Sequence, residues 1–473
     1  MPNAKKVAVI GLDCAPPELV FEQWRDELPC LRALMEQGAW GKLQSVCPPI
    51  TVPAWSCMMS GKDPGQLGIY GFRNRKDYSY DGMMIANSTA VREPRVWDLL
   101  SRAGKKVIVM SVPGTYPPSA VNGSMVSCFL TPNAQSPYTY PPELKVDLEK
   151  RFGPYMMDVE NFRSEDKDRI LENIYKMTEQ HFSMARHMVT TQPWDFFMMV
   201  EMGTDRIHHA FWKFHDKNHR KFEPGNRFEN SIRDYYHFLD KKIAEFLPAL
   251  GEDTTLFVVS DHGAKSMQGG ICVNEWLMQQ GYLFLKQPLS GPTPIGKAPV
   301  DWTKTIAWGE GGYYSRLFLN VKGREPNGVI EPSQYEAIRD ELKSKLEAML
   351  DDQGQPLGTK VSKPQDVYRS VRNVAPDLIV YFGDLSWRSV GLLGTGAVHT
   401  FENDTGPDDA NHAEYGIFML REPNGAHGTQ LQGLKLLDVS SMILERFGLS
   451  ESHSQQRTSQ HSSSLPAPSA AGV

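Results

Sequence analysis

Three short apolar runs in this chain end on an acid. Residues 7–12 lead into Asp13, residues 196–202 into Gly203-Thr204-Asp205, and residues 255–260 into Asp261-His262-Gly263. If Asp205 opens a helical turn, His209 stands at i+4 on the same face and His208 at i+3, so either imidazole can share a metal ion with the carboxylate. Another imidazole, His412, precedes the apolar stretch 415–420. Taken singly, an Asp after a strand reads as a helix cap and a His in an aromatic helix as a packed core residue. Gathered at one place they mean something else, because carboxylates held together without a cation repel and are driven toward their protonated forms. Two divalent cations remove that cost. Carboxylate and imidazole donors without thiolate fit zinc, or manganese, better than a structural zinc knot.

The attacking group expected beside such ions is Thr51. It lies in Pro48-Pro49-Ile50-Thr51-Val52-Pro53-Ala54-Trp55, just before a helix read as starting near Pro53 and ending at Gly61. Proline favours a helix's first turn and glycine its far end. A hydroxyl at a helix N-terminus faces free N–H groups and the positive end of the dipole, which favour an alkoxide or an arriving phosphoryl group. The competing reading is an ordinary helix cap.

Strands and helices that alternate must hold these residues. Runs at 7–12, 107–112, 196–202, 255–260, 378–382 and 417–420 are continuously apolar, the pattern of parallel strands buried on both faces. Helical periodicity fills 28–37, 165–189 and 228–247, the last stopping at Pro248. This predicts an α/β fold with a doubly wound, mostly parallel sheet flanked by helices, whose ligands gather beyond the carboxyl ends of the strands. The rhythm breaks between 284 and 375, where Gly and Pro clusters and one helix near 332–350 read as an inserted cap. The expected division is a core of 1–283 and 376–450, a cap of 284–375, and a disordered Ser/Gln/Pro-rich tail at 451–473.

With 473 residues, 40% apolar and 22% charged, the chain can bury a large core. Its formal charge of −6 does not favour a stable nucleic-acid partner or an anionic membrane. No window approaches the length of a bilayer span or a signal-peptide core, so a cytoplasmic location is expected. The six cysteines form no C-x-x-C pair and read as reduced, mostly buried thiols.

Taken together, Asp13, Thr51-x-Pro53, Ser60-Gly61-x-x-Pro64-x-x-x-Gly68-Ile69, Asp205-x-x-x-His209, Ser260-Asp261-His262-Gly263 and His412 resemble the type I phosphodiesterase/nucleotide pyrophosphatase group of the alkaline phosphatase superfamily. A nearer likeness, to the bacterial predicted phosphohydrolase/phosphomutase branch, rests on several further motifs. These are Gly11-Leu12-Asp13, Pro53-Ala54-Trp55, Asn274-Glu275-Trp276-Leu277, Gly281-Tyr282-Leu283 and Lys322-Gly323-Arg324-Glu325-Pro326. The likeness spans about residues 5 to 450. It implies an alkaline-phosphatase-like fold in which Asp13, Thr51, Asp261 and His262 hold one ion and Asp205, His209 and His412 the other. It also implies that Thr51 attacks phosphorus in line, giving a phospho-threonine that water hydrolyses. Three aspartates and an alkoxide balance two divalent ions, so a small anionic phosphoester such as a nucleotide meets a neutral site.

The sequence departs from the group at one place. An Asn that grips phosphate is expected near position 72, where Phe72 stands, leaving Arg73 or Asn74 as substitutes. Within the cap, Trp308, Glu310, Tyr313, Tyr314, Arg316 and Arg324 are candidates for recognition, and Tyr313 and Arg324 are taken with Arg73 and Asn74 as the substrate-binding candidates. Three other readings compete. A sulfatase needs C-x-P-x-R, and Cys47-Pro48-Pro49-Ile50-Thr51 lacks the Arg. A phosphomutase uses the same ions and nucleophile. A catalytically silent relative should show a broken ligand set, and none of the seven positions is empty.

Overall fold

The structure, a computed structural model, describes residues 6–425 and 427–449. The tail expected at 451–473 lies outside the described residues. A ten-stranded sheet forms the centre. Its principal strands are β1 (Lys6–Leu12), β2 (Ala39–Gln44), β3 (Val107–Met110), β4 (Gly123–Val126), β5 (Phe196–Glu201), β6 (Thr254–Val259) and β7 (Tyr415–Arg421). In space they run β2-β7-β6-β1-β5-β3-β4. The block from β6 to β4 is parallel throughout. Strand β7 pairs antiparallel with both β6 and β2. The α/β, mostly parallel sheet read from the sequence is therefore present, but the run at 417–420 is an antiparallel strand.

The three acid-bearing strands, β6, β1 and β5, are neighbours at the centre. Nearly every residue in them is buried, because helices cover both faces. Asp13, Asp205 and Asp261 follow their carboxyl ends and so arrive at one edge. Gly11 serves this edge directly. A Cβ there would sit 2.5 Å from the Trp55 ring, so glycine lets that indole approach β1 closely.

The helices that matter are α1 (Thr51–Ser60), α2 (Lys167–Thr191), α3 (Gly203–His215) and α4 (Ser231–Leu250). Helix α1 starts at Thr51 itself, two residues before Pro53, and ends on Gly61 in the left-handed region. Helix α4 does not stop at Pro248 but carries it in its last turn. A proline there forfeits one backbone hydrogen bond near a frayed end, while Phe246 and Leu250 stay buried on either side.

The run at 378–382 is also corrected. Leu378–Tyr381 belongs to a separate four-stranded antiparallel sheet with Ala307–Glu310, Ser315–Leu319 and Lys360–Ser362. A short apolar run buried on both faces looks the same in either kind of sheet, so periodicity could not separate them. This sheet and helix Tyr335–Glu347 surround a second apolar core, drawn from residues between Ile271 and Leu393. No helix among the described residues is long and apolar enough to cross a membrane.

Candidate metal centre

The edge of the sheet gathers Asp13, Thr51, Asp205, His209, Asp261, His262 and His412, and each is at most 2% exposed. The Thr51 hydroxyl lies 3.2 Å from His262 Nε2. That same Nε2 is 3.1 Å from Asp261 Oδ2 and 3.7 Å from Asp13 Oδ1. On the other side, Asp205 Oδ1 lies 3.2 Å from His209 Nε2 and 3.9 Å from His412 Nε2. The two imidazole Nε2 atoms are 3.3 Å apart. Donor atoms of Asp13, Asp261 and His262 fall within one metal-sized group, and so do those of Asp205, His262 and His412. A third group joins Cys14 to Asp205 and His209.

The protons of this cluster can be placed from its partners. His262 Nδ1 faces the Gly263 carbonyl at 3.1 Å and His412 Nδ1 the Pro49 carbonyl at 2.8 Å. His209 Nδ1 faces the Ala410 carbonyl at 3.1 Å and the Asp408 carboxylate at 2.7 Å. A carbonyl only accepts, so each Nδ1 carries the hydrogen and each Nε2 is turned to the centre as the ligating nitrogen. Two carboxylate oxygens, Asp13 Oδ1 and Asp261 Oδ2, are buried with no hydrogen-bond partner. Acceptors facing acceptors in a buried space need a cation between them. The donor set of carboxylates, imidazoles and one hydroxyl fits divalent zinc or manganese.

The bare site shows the same need in its titration. Burial, then the nearby Asp205, pushes the Asp13 carboxyl well above its ordinary range; burial, then Asp13, does the same to Asp261. Burial works to raise Asp205 as well, but His209 and Arg206 outweigh it and hold that carboxyl low. Burial would lower His209, yet Asp408 and Asp205 carry it up to about 9, so in the bare protein a proton sits where a metal ion would. Burial brings His262 down to about 4, and burial with His262 beside it takes His412 well below its ordinary value.

Helix α3 presents Asp205 and His209 to the centre. His208 turns the other way, its Nε2 3.3 Å from the Tyr236 hydroxyl and its ring against Tyr236 and Trp212. Thr51 is the first residue of α1; Ile50 takes the cap position, with no side-chain cap bond. The cap reading of Thr51 is therefore removed.

The candidate substrate residues separate. Tyr313 reaches the centre, its ring 4.8 Å from that of His209 and 4.3 Å from that of His412. Asn74 is spent on its own turn: its Oδ1 accepts from the Tyr70 amide at 2.7 Å and its Nδ2 donates to the Gly71 carbonyl at 2.9 Å. Arg73 is exposed, and its carbonyl accepts from Arg316. Arg324 is committed to Asp377 and Glu325. Phe72 packs edge-on against Phe129.

Three further side chains support the ligands from behind. Trp55 Nε1 donates to Asp13 Oδ2 at 2.7 Å. Its place four residues after Thr51 on one helix face was the available signal. Arg206 contacts Asp205 and grips Asp158 through two bonds of 2.6 and 2.9 Å. Asp408, in the Asp408-Asp409-Ala410-Asn411-His412 run, stood in plain view with nothing to mark it.

A mostly parallel sheet flanked by helices, with an Asp/His/Thr cage at one edge, fits a phosphoester hydrolase, the class that the matching family model gives. The chain belongs to the type I phosphodiesterase/nucleotide pyrophosphatase family, whose model matches residues 7–408. No curated relative matches the sequence. Among solved structures, phosphonoacetate hydrolase from Sinorhizobium meliloti in complex with phosphonoformate has a TM-score of 0.60 at 14% identity, with 94% of this chain and 96% of that one covered. An inactive threonine-to-alanine form of murine ectonucleotide pyrophosphatase/phosphodiesterase 5, in complex with AMP, has a TM-score of 0.56 at 14% identity, with 94% and 96% covered. The human counterpart of that protein has a TM-score of 0.53 at 14% identity, with 94% and 95% covered.

Proposed function

We propose that this chain hydrolyses a small phosphoester, a nucleotide or a compound of similar size, by a two-metal mechanism with Thr51 as nucleophile. The observation that supports it most is the inward face of the cage. His262 Nε2 lies 3.2 Å from the Thr51 hydroxyl beside two orphaned carboxylate oxygens, His209 and His412 turn their Nε2 atoms toward Asp205, and each of the three Nδ1 atoms faces an acceptor outside the cage. Asp13, Thr51, Asp261 and His262 would hold one ion; Asp205, His209 and His412 the other. Two divalent ions, zinc or manganese, would lower the pKa of the Thr51 hydroxyl and neutralise charge on the phosphoryl group.

The rest falls to the chain. Helix α1 aims its N-terminal N–H groups at the phosphoryl oxygens. The Thr51 oxygen would bond to phosphorus as the substrate's ester P–O bond breaks, the hydroxyl proton being given up and the leaving group departing as the protonated alcohol; water would then cleave the phospho-threonine to free phosphate and restore the hydroxyl. The region around 284–375 acts as a cap that shapes the entrance, with Tyr313 as its nearest side chain. The AMP complex of the murine structural neighbour and the phosphonate complex of the bacterial one support a small phosphorus-bearing anion as substrate. The six free thiols support a reducing, cytoplasmic setting.

The test is zinc- or manganese-dependent release of p-nitrophenol from p-nitrophenyl phosphate and its bis ester, before and after chelation, with mass spectra of acid-quenched protein. Restored turnover and a phosphate on the Thr51 peptide are expected. Turnover indifferent to prolonged chelation, or phosphate trapped on another residue, removes the reading.

A further inference from the structure

The two halves of the cage are supported differently. Around Asp13, Asp261 and His262 the supporting groups come from the core: the Trp55 indole, the Cys14 amide on Asp261 Oδ1 at 3.2 Å, and the Gly263 carbonyl. Around His209, besides the Ala410 carbonyl at 3.1 Å from Nδ1, they come from outside it and meet on one side chain, Asp408. Its Oδ1 accepts from His209 Nδ1 at 2.7 Å, while its Oδ2 accepts from Arg163 Nε and from the Tyr313 hydroxyl, each at 2.9 Å. Asp408 is 2% exposed, so its carboxylate is largely shielded from bulk water.

The partners of Asp408 come from distant parts of the chain. Arg163 belongs to the loop before α2, and its guanidinium lies over the Phe162 ring and also reaches the Tyr313 hydroxyl. Tyr313 sits in the tip of the hairpin Ala307–Glu310/Ser315–Leu319, in the smaller sheet. Two backbone bonds of 2.8 Å between Gly312 and Ser389 tie that tip down. From there the Tyr313 ring covers both His209 and His412. The next residue, Asp409, holds the same helix from behind: its amide donates to the His209 carbonyl at 3.1 Å.

We propose that Asp408, clamped by Arg163 and Tyr313, is the positioning residue for His209, and that it sets the affinity of the second metal position without touching the metal or the substrate. This rests on the two-metal reading above. A carboxylate behind a ligating imidazole fixes the ring's rotation and its tautomer and raises its basicity. Three donors converge on this one carboxylate. Asparagine has a single acceptor oxygen and would turn its amide hydrogens toward at least one of them. The hairpin tip thereby reaches the metal position through Tyr313, Asp408 and His209 in turn.

The experiment counts zinc. Purified full-length chain is stripped, then titrated with zinc in metal-buffered solution, and bound metal is measured directly alongside circular dichroism. The wild type is expected to take up two zinc ions. Asp408→Asn should keep one at wild-type affinity and bind the other about 10–100-fold more weakly. Arg163→Gln and Tyr313→Phe, which leave the carboxylate in place, should weaken the same ion by less. Asp408→Glu, which retains both acceptor oxygens, should recover part of the loss. Two zinc ions bound by folded Asp408→Asn as tightly as by the wild type would overturn the proposal. So would equal weakening of both ions, which marks a general structural role. If Asp408→Asn does not fold, Arg163→Gln and Tyr313→Phe decide, and wild-type binding of both ions in these two overturns the proposal. Failure of the wild type itself to bind zinc counts against the two-metal reading instead, and is told apart because no variant is needed to see it.

Discussion

Replacing Thr51 by alanine separates a nucleophile from a helix cap, because the two roles lead to opposite outcomes. A lost cap costs about 0.5–2 kcal/mol of stability and leaves chemistry alone. In this structure Ile50 occupies the cap and Thr51 makes no cap bond, so that penalty does not apply. What Thr51→Ala removes is one buried methyl, worth about 0.8 kcal/mol, and one contact with His262 at 3.2 Å, worth about 1 kcal/mol net. Alanine returns about 0.5 kcal/mol through its better helix propensity. The sum is roughly 1 kcal/mol. At about 2 cal/mol/K of unfolding entropy per residue, that moves the melting temperature of a 473-residue chain by about a degree. Turnover should fall by about 10⁴ or more, or about 5 kcal/mol of barrier at 1.36 kcal/mol per decade. Thr51→Ser keeps the oxygen and should keep most of the rate. The assay pairs initial rates on zinc-loaded protein with thermal melts and a zinc count. A Thr51→Ala protein that melts several degrees lower yet turns over within tenfold of wild type would refute the reasoning outright.

Trp55→Phe should raise KM little but cut kcat about 10–100-fold, by releasing Asp13 Oδ2 from its 2.7 Å indole bond; unchanged kcat and zinc content would show that bond to be incidental. His209→Ala should lose one of two zinc ions. His208→Ala should keep both and instead lose about 2 kcal/mol of stability with its buried Tyr236 contact; the reverse pattern would mean that α3 presents its other face. Zinc uptake should depend on pH with a definite sign. His209 titrates at about 9 in the bare protein and must give up its proton to bind metal. Below that value apparent affinity should therefore fall about tenfold per pH unit, more steeply where the raised Asp13 and Asp261 carboxyls also release protons. Affinity flat between pH 6 and 8 by metal-buffered titration would count against this.

What could be read from the sequence, and what could not, divides along the physics of locality. Asp13, Asp205 and Asp261 were legible because each ends an apolar run, and parallel strands deliver their carboxyl ends to one edge whatever lies between them. His209 was legible because i and i+4 share a helix face. The groups that tune these ligands obey no such rule. Asp408 meets His209 across 199 residues, and the Pro49 carbonyl meets His412 across 363. Neither partner carries a periodicity, and one of them is a backbone atom that any residue would supply. The strand at Leu378–Tyr381 was found but assigned to the wrong sheet for the same reason: its apolar run states that it is buried, while the hydrogen bonds that choose its neighbours lie in Ser315–Leu319 and Lys360–Ser362. Ligand identity is thus written locally, whereas ligand orientation is written only in the closed fold. Closure brings the Tyr313 hairpin, the Arg163 loop and the Asp408 segment onto a single imidazole. Any change that loosens one of those three elements should therefore be felt at His209 before it is felt at His262.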